Sequence, residues 1–410
     1  MDAPGDDVVS SQYERWVYPA PIEDLPAWLA DSWQWFDPSH AHRLLWPDRD
    51  YAAGMDILVA GCGTSQAAVI AYNNPAAHVV AIDVSRTSLD HHETLKERYG
   101  LGNLELHLLP IEEAASLGQD FDLVVSTGVL HHLADPRVGM QALADRLRPD
   151  GVIALMLYAR YGRVGVELLE GVFRDLGLGQ DEASIAMVRE ALAVLPDHHP
   201  LHGYLAIAPD LGYDAGLVDT FLHGRQRSYT VGDCLDLVES AGLVFQDWFL
   251  KSPYEPFRAP GNGFLTAVAA LPDAQRWSVM ERIATSNGCH FFTACRRDRP
   301  VSTYRIDIDG PDAMQLVPVM RYRCGVDGSD VVRPGWRWPL DDARRAIARA
   351  VDGRRTIKQI ADVTRAAAPQ AATGATDHDT DHCTDHDTVV REWIGDLWRR
   401  DFVALTIAPR

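Results

Sequence analysis

Residues Ile57-Leu58-Val59-Ala60-Gly61-Cys62-Gly63-Thr64-Ser65 form an apolar run that breaks into a glycine turn. A second apolar run, Val79-Val80-Ala81-Ile82, ends in Asp83. Together they predict a nucleotide cradle made from two neighbouring strands. The first strand stops at Gly61 and Gly63, where a missing Cβ lets backbone approach a ligand closely. The helix expected from Gln66 to Tyr72 points its unpaired N–H groups into the same gap. Asp83 falls where the acid that holds a ribose diol sits in such strand–helix–strand units. Taken alone, the turn could be a tight strand–helix junction and Asp83 a helix cap.

The dinucleotide fingerprint requires a third glycine three positions after the second, and here that position is Gln66, which disfavours NAD. The shorter Gly61-Cys62-Gly63-Thr64 form resembles motif I of the class I S-adenosylmethionine (SAM) methyltransferases. Phe121-Asp122-Leu123-Val124-Val125-Ser126-Thr127-Gly128-Val129-Leu130-His131-His132-Leu133-Ala134-Asp135-Pro136 resembles motif IV of that family, a central strand and the loop between cofactor and acceptor. Arg148-Pro149-Asp150-Gly151, ahead of Val152 to Leu157, is similar to the family's turn into its fifth strand. Two departures stand out. Val59 occupies a place where the family often has an acid for the methionine amino group, and Ser65 replaces the usual glycine after Thr64.

The resemblance implies a fold and a site. The fold is α/β: a seven-stranded, mostly parallel Rossmann-like methyltransferase sheet with a helical insertion and a small C-terminal winged-helix-like α+β domain. Gly61, Cys62, Gly63 and Thr64 would face the methionine portion of SAM, and Asp83 with Val84 the ribose. Pro110, Ile111 and Glu112 would wrap the adenine, although a typical Asp is missing there. Thr127, Gly128 and Val129 would line the floor near the sulfonium. Cys62 fits as a small apolar residue.

Methyl transfer from SAM chiefly needs alignment and exclusion of water, and a base only where the acceptor arrives protonated. The motifs therefore identify the cofactor and leave the acceptor open. His131 and His132 are the candidate bases; packing against the next helix is the alternative. Tyr158, Tyr161 and Arg163 follow the fifth strand on the acceptor side, where a tyrosine could orient an amine or attract a cation. They could equally pin the insertion to the sheet. His199, His202 and His223 are further pocket candidates.

Around this core, residues 1–50 are rich in aromatics (Tyr13, Trp16, Tyr18, Trp28, Trp33, Trp35) and predict a lid over the cofactor cleft or a clamp on the sheet. The methyltransferase domain is placed at 51–298. Its helical insertion, about 164–240, would build an acceptor pocket, a dimer contact, or both. Ala241–Phe249 and Cys289–Cys295 read as the sixth and seventh strands. Residues 299–410 form the C-terminal domain, with a capping box at Thr356–Gln359, an apolar stripe from Val390 to Trp398 and a wing strand at 402–405. His378, His382 and His386 recur in an Asp-rich stretch that could bind zinc or nickel but is read as an acidic linker, so no metal site is assigned.

The chain has 410 residues, 47% of them apolar, and a formal net charge of −20. That charge opposes direct nucleic-acid binding and suits a basic partner. There is no 18-residue apolar run, so no membrane span is expected. The N-terminus lacks the apolar core of a secretory signal, and six cysteines make no disulfide scaffold or zinc pattern, so a cytoplasmic location is expected. Three functions follow: methylation of lysine on a basic protein such as a histone, methylation of a small molecule of secondary or lipid metabolism, or a non-catalytic SAM-binding scaffold. The whole chain also resembles mycobacterial class I methyltransferases that act on host histone H3 lysine. That resemblance implies a homodimer and export without a conventional signal.

Overall fold

The computed structural model describes residues 8–259, 261–367 and 385–407. The His/Asp-rich stretch, apart from its last residues from Asp385 onward, lies outside the described residues. The chain divides into two compact units: residues 1–38, 52–249 and 267–299 in the first, and 39–51, 250–266 and 300–410 in the second.

The first unit is built on a seven-stranded sheet in the order β3-β2-β1-β4-β5-β7-β6. Its strands are β1 (Asp56–Ala60), β2 (His78–Asp83), β3 (Leu104–Leu108), β4 (Phe121–Thr127), β5 (Leu147–Tyr158), β6 (Leu243–Trp248) and β7 (Cys289–Arg296). Strands β1 to β5 pair in parallel, and β7 runs antiparallel between β5 and β6. Ile57 to Ala60 and Leu123 to Val125 are fully buried, because helices cover both faces of a parallel sheet and every side chain of a central strand must be apolar. The chain winds one way from β1 to β3 and the other way from β4, so the switch point lies between β1 and β4. Ligands of such sheets bind there, beyond the carboxyl ends of the strands.

The connecting helices carry conventional start and stop signals. Ser85 caps the helix Arg86–Tyr99 by accepting from Ser88 N at 3.1 Å, and Gly100 ends it in the left-handed region. Asp135 caps Pro136–Ala144, with proline at the first helical position. Thr230 and Asp233 form a reciprocal capping box at the head of Val231–Ser240.

The insertion between β5 and β6 comprises the helices Val164–Asp175, Glu182–Ala193, Leu201–Leu205 and Asp214–Phe221. They share a small core of Val166, Leu169, Phe173, Ile185, Val188, Leu201, Leu217, Val218, Phe221 and Leu222. The expected range of 164–240 includes one helix too many. Val231–Ser240 packs on β6 and on Pro136–Ala144 and is the crossover helix of the sheet itself.

The second unit has its own core, which includes Val331, Ile347, Ile357, Ile360, Ile394, Leu397 and Phe402. The strands β9 (Gly325–Asp327), β10 (Asp330–Arg333) and β11 (Trp336–Pro339) form a meander. The helices are Asp342–Arg349, Ile357–Ala367 and His386–Arg399. The capping box is present: Thr356 N donates to Gln359 Oε1 at 2.9 Å and Gln359 N to Thr356 Oγ1 at 3.2 Å. The strand expected at 402–405 is β12 (Val403–Thr406), and it pairs antiparallel with β8 (Val317–Met320). Residues 39–51 join this unit, since His40 stacks on Tyr322 and Ile407 N donates to Pro47 O. The single N-terminal segment expected at 1–50 is therefore divided after Pro38. No helix among the described residues is long and apolar enough to cross a membrane.

Candidate active site

Gly61 leaves β1 with φ +73°, and its N–H donates to Ile82 O at 2.8 Å, tying the turn to β2. A Cβ on Gly61 would lie 2.4 Å from Val129 Cγ2, so only glycine lets the loop after β4 close on this turn. Gly63 follows with φ +56°, and its N–H donates to Asp83 Oδ2 at 2.8 Å. Ser85 N donates to Asp83 Oδ1 at 2.9 Å. Asp83 thus clamps the end of β2 to the glycine turn. Burial pushes its carboxyl up to about 6, although the backbone N–H groups draw it back down.

Around this turn, Gly128 has φ +78° and lies with Thr127 and Val129 in half-buried positions at the end of β4. Ile111 is buried, while Glu112 is exposed and Pro110 half-buried. Val84 O accepts from Ser10 Oγ at 3.1 Å. Burial raises the Cys62 thiol well above its ordinary value, which keeps it inert. Gln66 Nε2 donates to Thr127 Oγ1 at 3.0 Å and to Gln34 Oε1 at 3.2 Å.

The segment before Pro38 covers this end of the sheet. In the helix Val8–Arg15, Glu14 accepts from Thr87 Oγ1 at 2.7 Å. Thr64 Oγ1 donates to Pro19 O at 3.0 Å, and Pro19 Cδ lies 3.1 Å from where a Cβ on Gly63 would be.

A second constellation lies beyond the carboxyl ends of β4 and β5. Its centre is Asp219, 1% exposed, on the insertion helix Asp214–Phe221. Tyr13 Oη donates to its Oδ1 at 2.8 Å and Tyr158 Oη to its Oδ2 at 3.1 Å. Burial pushes the Asp219 carboxyl up to about 6; the two tyrosine hydroxyls act in the opposite sense. Tyr158 is sandwiched, with His131 stacked on one face at 3.8 Å and the Arg163 guanidinium 3.7 Å from the ring centroid. Arg163 also donates to Tyr204 Oη at 2.6 Å. His132 and His223 stack at 3.8 Å with planes 15° apart. Burial holds His132 down at about 3 and His223 at about 2, so both are neutral.

The structure brings together His131, His132, Tyr158, Arg163 and His223 among the residues expected on the acceptor side. Tyr161 makes none of these hydrogen bonds or ring contacts, because the 3₁₀ turn Tyr161–Arg163 turns only Arg163 inward. His199 accepts from Leu201 N at 3.2 Å and so shapes the start of the next helix. Arg163 packs on the Tyr158 ring and so holds it in place.

Tyr13 and Asp219 were missed as site residues. Asp219 had a signal: it is a lone carboxylate among Leu217, Val218, Phe221 and Leu222, four residues before His223. Oxygen and nitrogen atoms of His132, Asp219 and His223 lie within 4.8 Å of one another. Two imidazoles bind one ion in their ring planes, and rings stacked in parallel do not present that geometry.

Residues 58–153 match the family model for a methyltransferase domain. These residues carry a methyltransferase domain. The chain is 29% identical over 266 residues to an uncharacterized protein of Synechococcus, covering 62% of this chain and 62% of that protein. It is 30% identical over 138 residues to the tRNA 5-carboxymethoxyuridine methyltransferase of Escherichia coli K12, covering 32% of this chain and 52% of that enzyme. The chain spans less than two thirds of the length of these curated relatives. Its fold is like that of PKMT2 from Rickettsia typhi, with a TM-score of 0.64 and 12% identity over 96% of this chain and 77% of that one. PKMT2 solved in complex with AdoHcy gives a TM-score of 0.62, again at 12% identity, over 91% and 76%.

The residues of the methyltransferase domain fit SAM. Gly61, Gly63 and Gly128 hold positive φ, and the side chains of Val129, Pro19 and Met156 come close where their Cβ atoms would be. Each Asp83 oxygen takes one backbone N–H and has a further lone pair, with which it would accept from a ribose hydroxyl were SAM bound. Ser65 makes no side-chain cap on the helix Gln66–Asn73.

Proposed function

We propose that this protein is a SAM-dependent N-methyltransferase whose acceptor is the ammonium of a lysine on a basic protein, with core histones as the candidate substrate. The observation that carries the reading is Asp219. A buried carboxylate held by two tyrosine hydroxyls, beyond the strands that carry the cofactor floor, offers negative charge and hydrogen-bond acceptors to a cation. Tyr158 adds an aromatic face beside it. SAM supplies the electrophilic methyl group. Asp219 binds the ammonium, Tyr13 and Tyr158 fix the carboxylate, and the N-terminal helix excludes water. The net charge of −20 supports a basic partner and opposes a phosphate backbone.

A second reading keeps the chemistry and changes the size of the acceptor. Tyr158 and Asp219 are buried under the helix that carries Tyr13, which favours a small cationic amine. Transfer of radiolabelled methyl from SAM to core histones and to a metabolite extract, with Asp83→Ala as control, separates the two. Label on histone that vanishes in the variant supports the protein acceptor. Label confined to the extract removes it, and no label in either fraction, despite SAM binding, leaves a scaffold.

The insertion also supports a homodimer. On the helix Val164–Asp175 and its end, Val164, Leu168, Val172 and Leu176 are exposed at four-residue intervals, and a Cβ on Gly171 would meet open space. This stripe would pack against its own copy. Sedimentation of the wild type as a monomer at micromolar concentration would remove that assignment.

A further inference from the structure

The proton to be removed from an acceptor ammonium needs a destination, and the cluster contains two rings whose tautomers the hydrogen bonds define. His132 Nδ1 lies 3.0 Å from Arg225 O. A carbonyl oxygen only accepts, so Nδ1 carries the ring proton and Nε2 carries the lone pair. That Nε2 is buried and has no hydrogen-bond partner. A buried polar atom of this kind is normally satisfied, and a ligand donor is the natural complement.

The neighbouring ring is oriented in the opposite sense. Arg225 N donates to His223 Nδ1 at 3.0 Å, so the neutral His223 carries its proton on Nε2. That N–H faces Tyr13 Oη at 3.4 Å, and Tyr13 donates onward to Asp219. One residue, Arg225, therefore sets both tautomers: its carbonyl leaves His132 Nε2 as an acceptor, and its N–H turns His223 Nε2 into a donor aimed at the Tyr13–Asp219 pair. Arg225 Nε also donates to His132 O at 2.8 Å, which holds the backbone of that loop. His131 differs from His132, since neither of its ring nitrogens has a partner and nothing fixes its tautomer.

Resting on the amine reading above, we propose that His132 Nε2 is the base that takes the proton from the acceptor ammonium, with Arg225 and His223 as positioning residues. The ammonium N–H bond breaks and an Nε2–H bond forms, leaving the amine lone pair free to attack the methyl carbon. The C–S bond electrons go to sulfur, and the imidazolium later returns its proton to solvent. Because burial holds the free ring at about 3, the imidazolium is short-lived, and the Asp219 carboxylate within 4.8 Å offsets its charge while it lasts. The groups facing His132 are Tyr13 from the N-terminal helix, His131 and Arg163 from the two 3₁₀ turns, Tyr158 from β5, Asp219 from the insertion, and His223 with Arg225 from the following loop. Burial opposes its protonation most, the Arg225 carbonyl favours it, and the Arg163 and Arg225 guanidinium groups oppose it.

His132→Asn tests the assignment, because the asparagine amide can keep the bond to Arg225 O while the Nε2 lone pair is lost. With core histones as acceptor, kcat at pH 7 should fall about 100-fold, SAM affinity should hold, and kcat should climb as pH rises and the amine loses its proton unaided. Unchanged kcat, or a loss that rising pH does not restore, overturns the proposal. ¹⁵N-histidine NMR of the wild type gives a readout that needs no turnover. The resonance absent from the His132→Asn spectrum should report a neutral ring protonated on Nδ1 at pH 7. An Nε2–H tautomer or an imidazolium there refutes the base assignment. Failure of the wild type to label any basic protein would instead refute the lysine reading and leave the NMR result standing.

Discussion

The turn from Gly61 to Thr64 is made of consecutive residues and acts through its backbone, whereas the cluster around Asp219 draws side chains from the N-terminal helix, the loop after β4, the end of β5 and the insertion. Both lie beyond the same ends of the same sheet. The turn needs only a shape: positive φ at two glycines and no Cβ facing Val129. The cluster needs charge in a buried place, which folding opposes. Cofactor cradles can thus be shared across a family, while acceptor sites are assembled afresh from whatever elements reach the strand ends.

Replacing the central carboxylate tests that division most severely. Asp219→Asn should lower kcat/KM by about 1,000-fold, the loss expected when a preorganised charge at the reacting group is removed, with SAM affinity within about threefold of the wild type. In the wild type, kcat/KM should fall as pH drops through about 6, because only the ionised Asp219 attracts a cation. The stability sign runs the other way. A carboxyl raised from 3.8 to about 6 by burial favours folding while protonated, so its contribution is present below pH 3.8 and lost as pH rises through 6. Asp219→Asn should therefore melt no lower than the wild type at pH 8. A lower melting temperature together with lost SAM binding would make Asp219 a structural residue.

The converse experiment strikes the turn. Gly61→Ala places a methyl 2.4 Å from Val129 Cγ2 at φ +73°. The strain of about 2 kcal/mol should show as weaker SAM binding by calorimetry and a lower melting temperature, in proportion. The ring sandwich of His131, Tyr158 and Arg163 should persist. Unchanged SAM affinity would mean that the turn does not face the cofactor.

How much was legible follows the same line. The order of motifs at 57–65, 83, 121–136 and 148–157 placed β1, β2, β4 and β5, because each motif is local and its glycines answer to backbone geometry. His131, His132 and Tyr158 were legible as neighbours of those motifs. Asp219 and Tyr13 were not, because 206 positions separate them and no local pattern joins a helix near the N-terminus to one in the insertion. Tyr161 and His199 failed for the complementary reason: sequence proximity to a site does not fix which way a turn faces. The division of residues 1–50 after Pro38 was not legible, because no local pattern shows that residues 39–51 join the second unit.

Tyr13→Phe removes one donor from Asp219 and nothing from the cofactor turn, so it asks how far the N-terminal helix belongs to the acceptor site. The Tyr13 hydroxyl lowers the Asp219 pKa against the larger effect of burial, so its loss should raise that pKa. The acid limb of kcat/KM should then move to a pH above 6, and kcat at pH 7 should fall about tenfold. The phenyl ring still fills the space beside His132 and His223, whose centroids lie 6.4 and 5.9 Å away, so the fold and SAM affinity should hold. A limb that stays in place would show that Tyr158 alone fixes the carboxylate and that the helix is only a cover. A limb that moves makes the N-terminal helix part of the machinery: any opening that admits SAM also withdraws a hydroxyl from Asp219, and acceptor binding is then tied to closure over the cofactor.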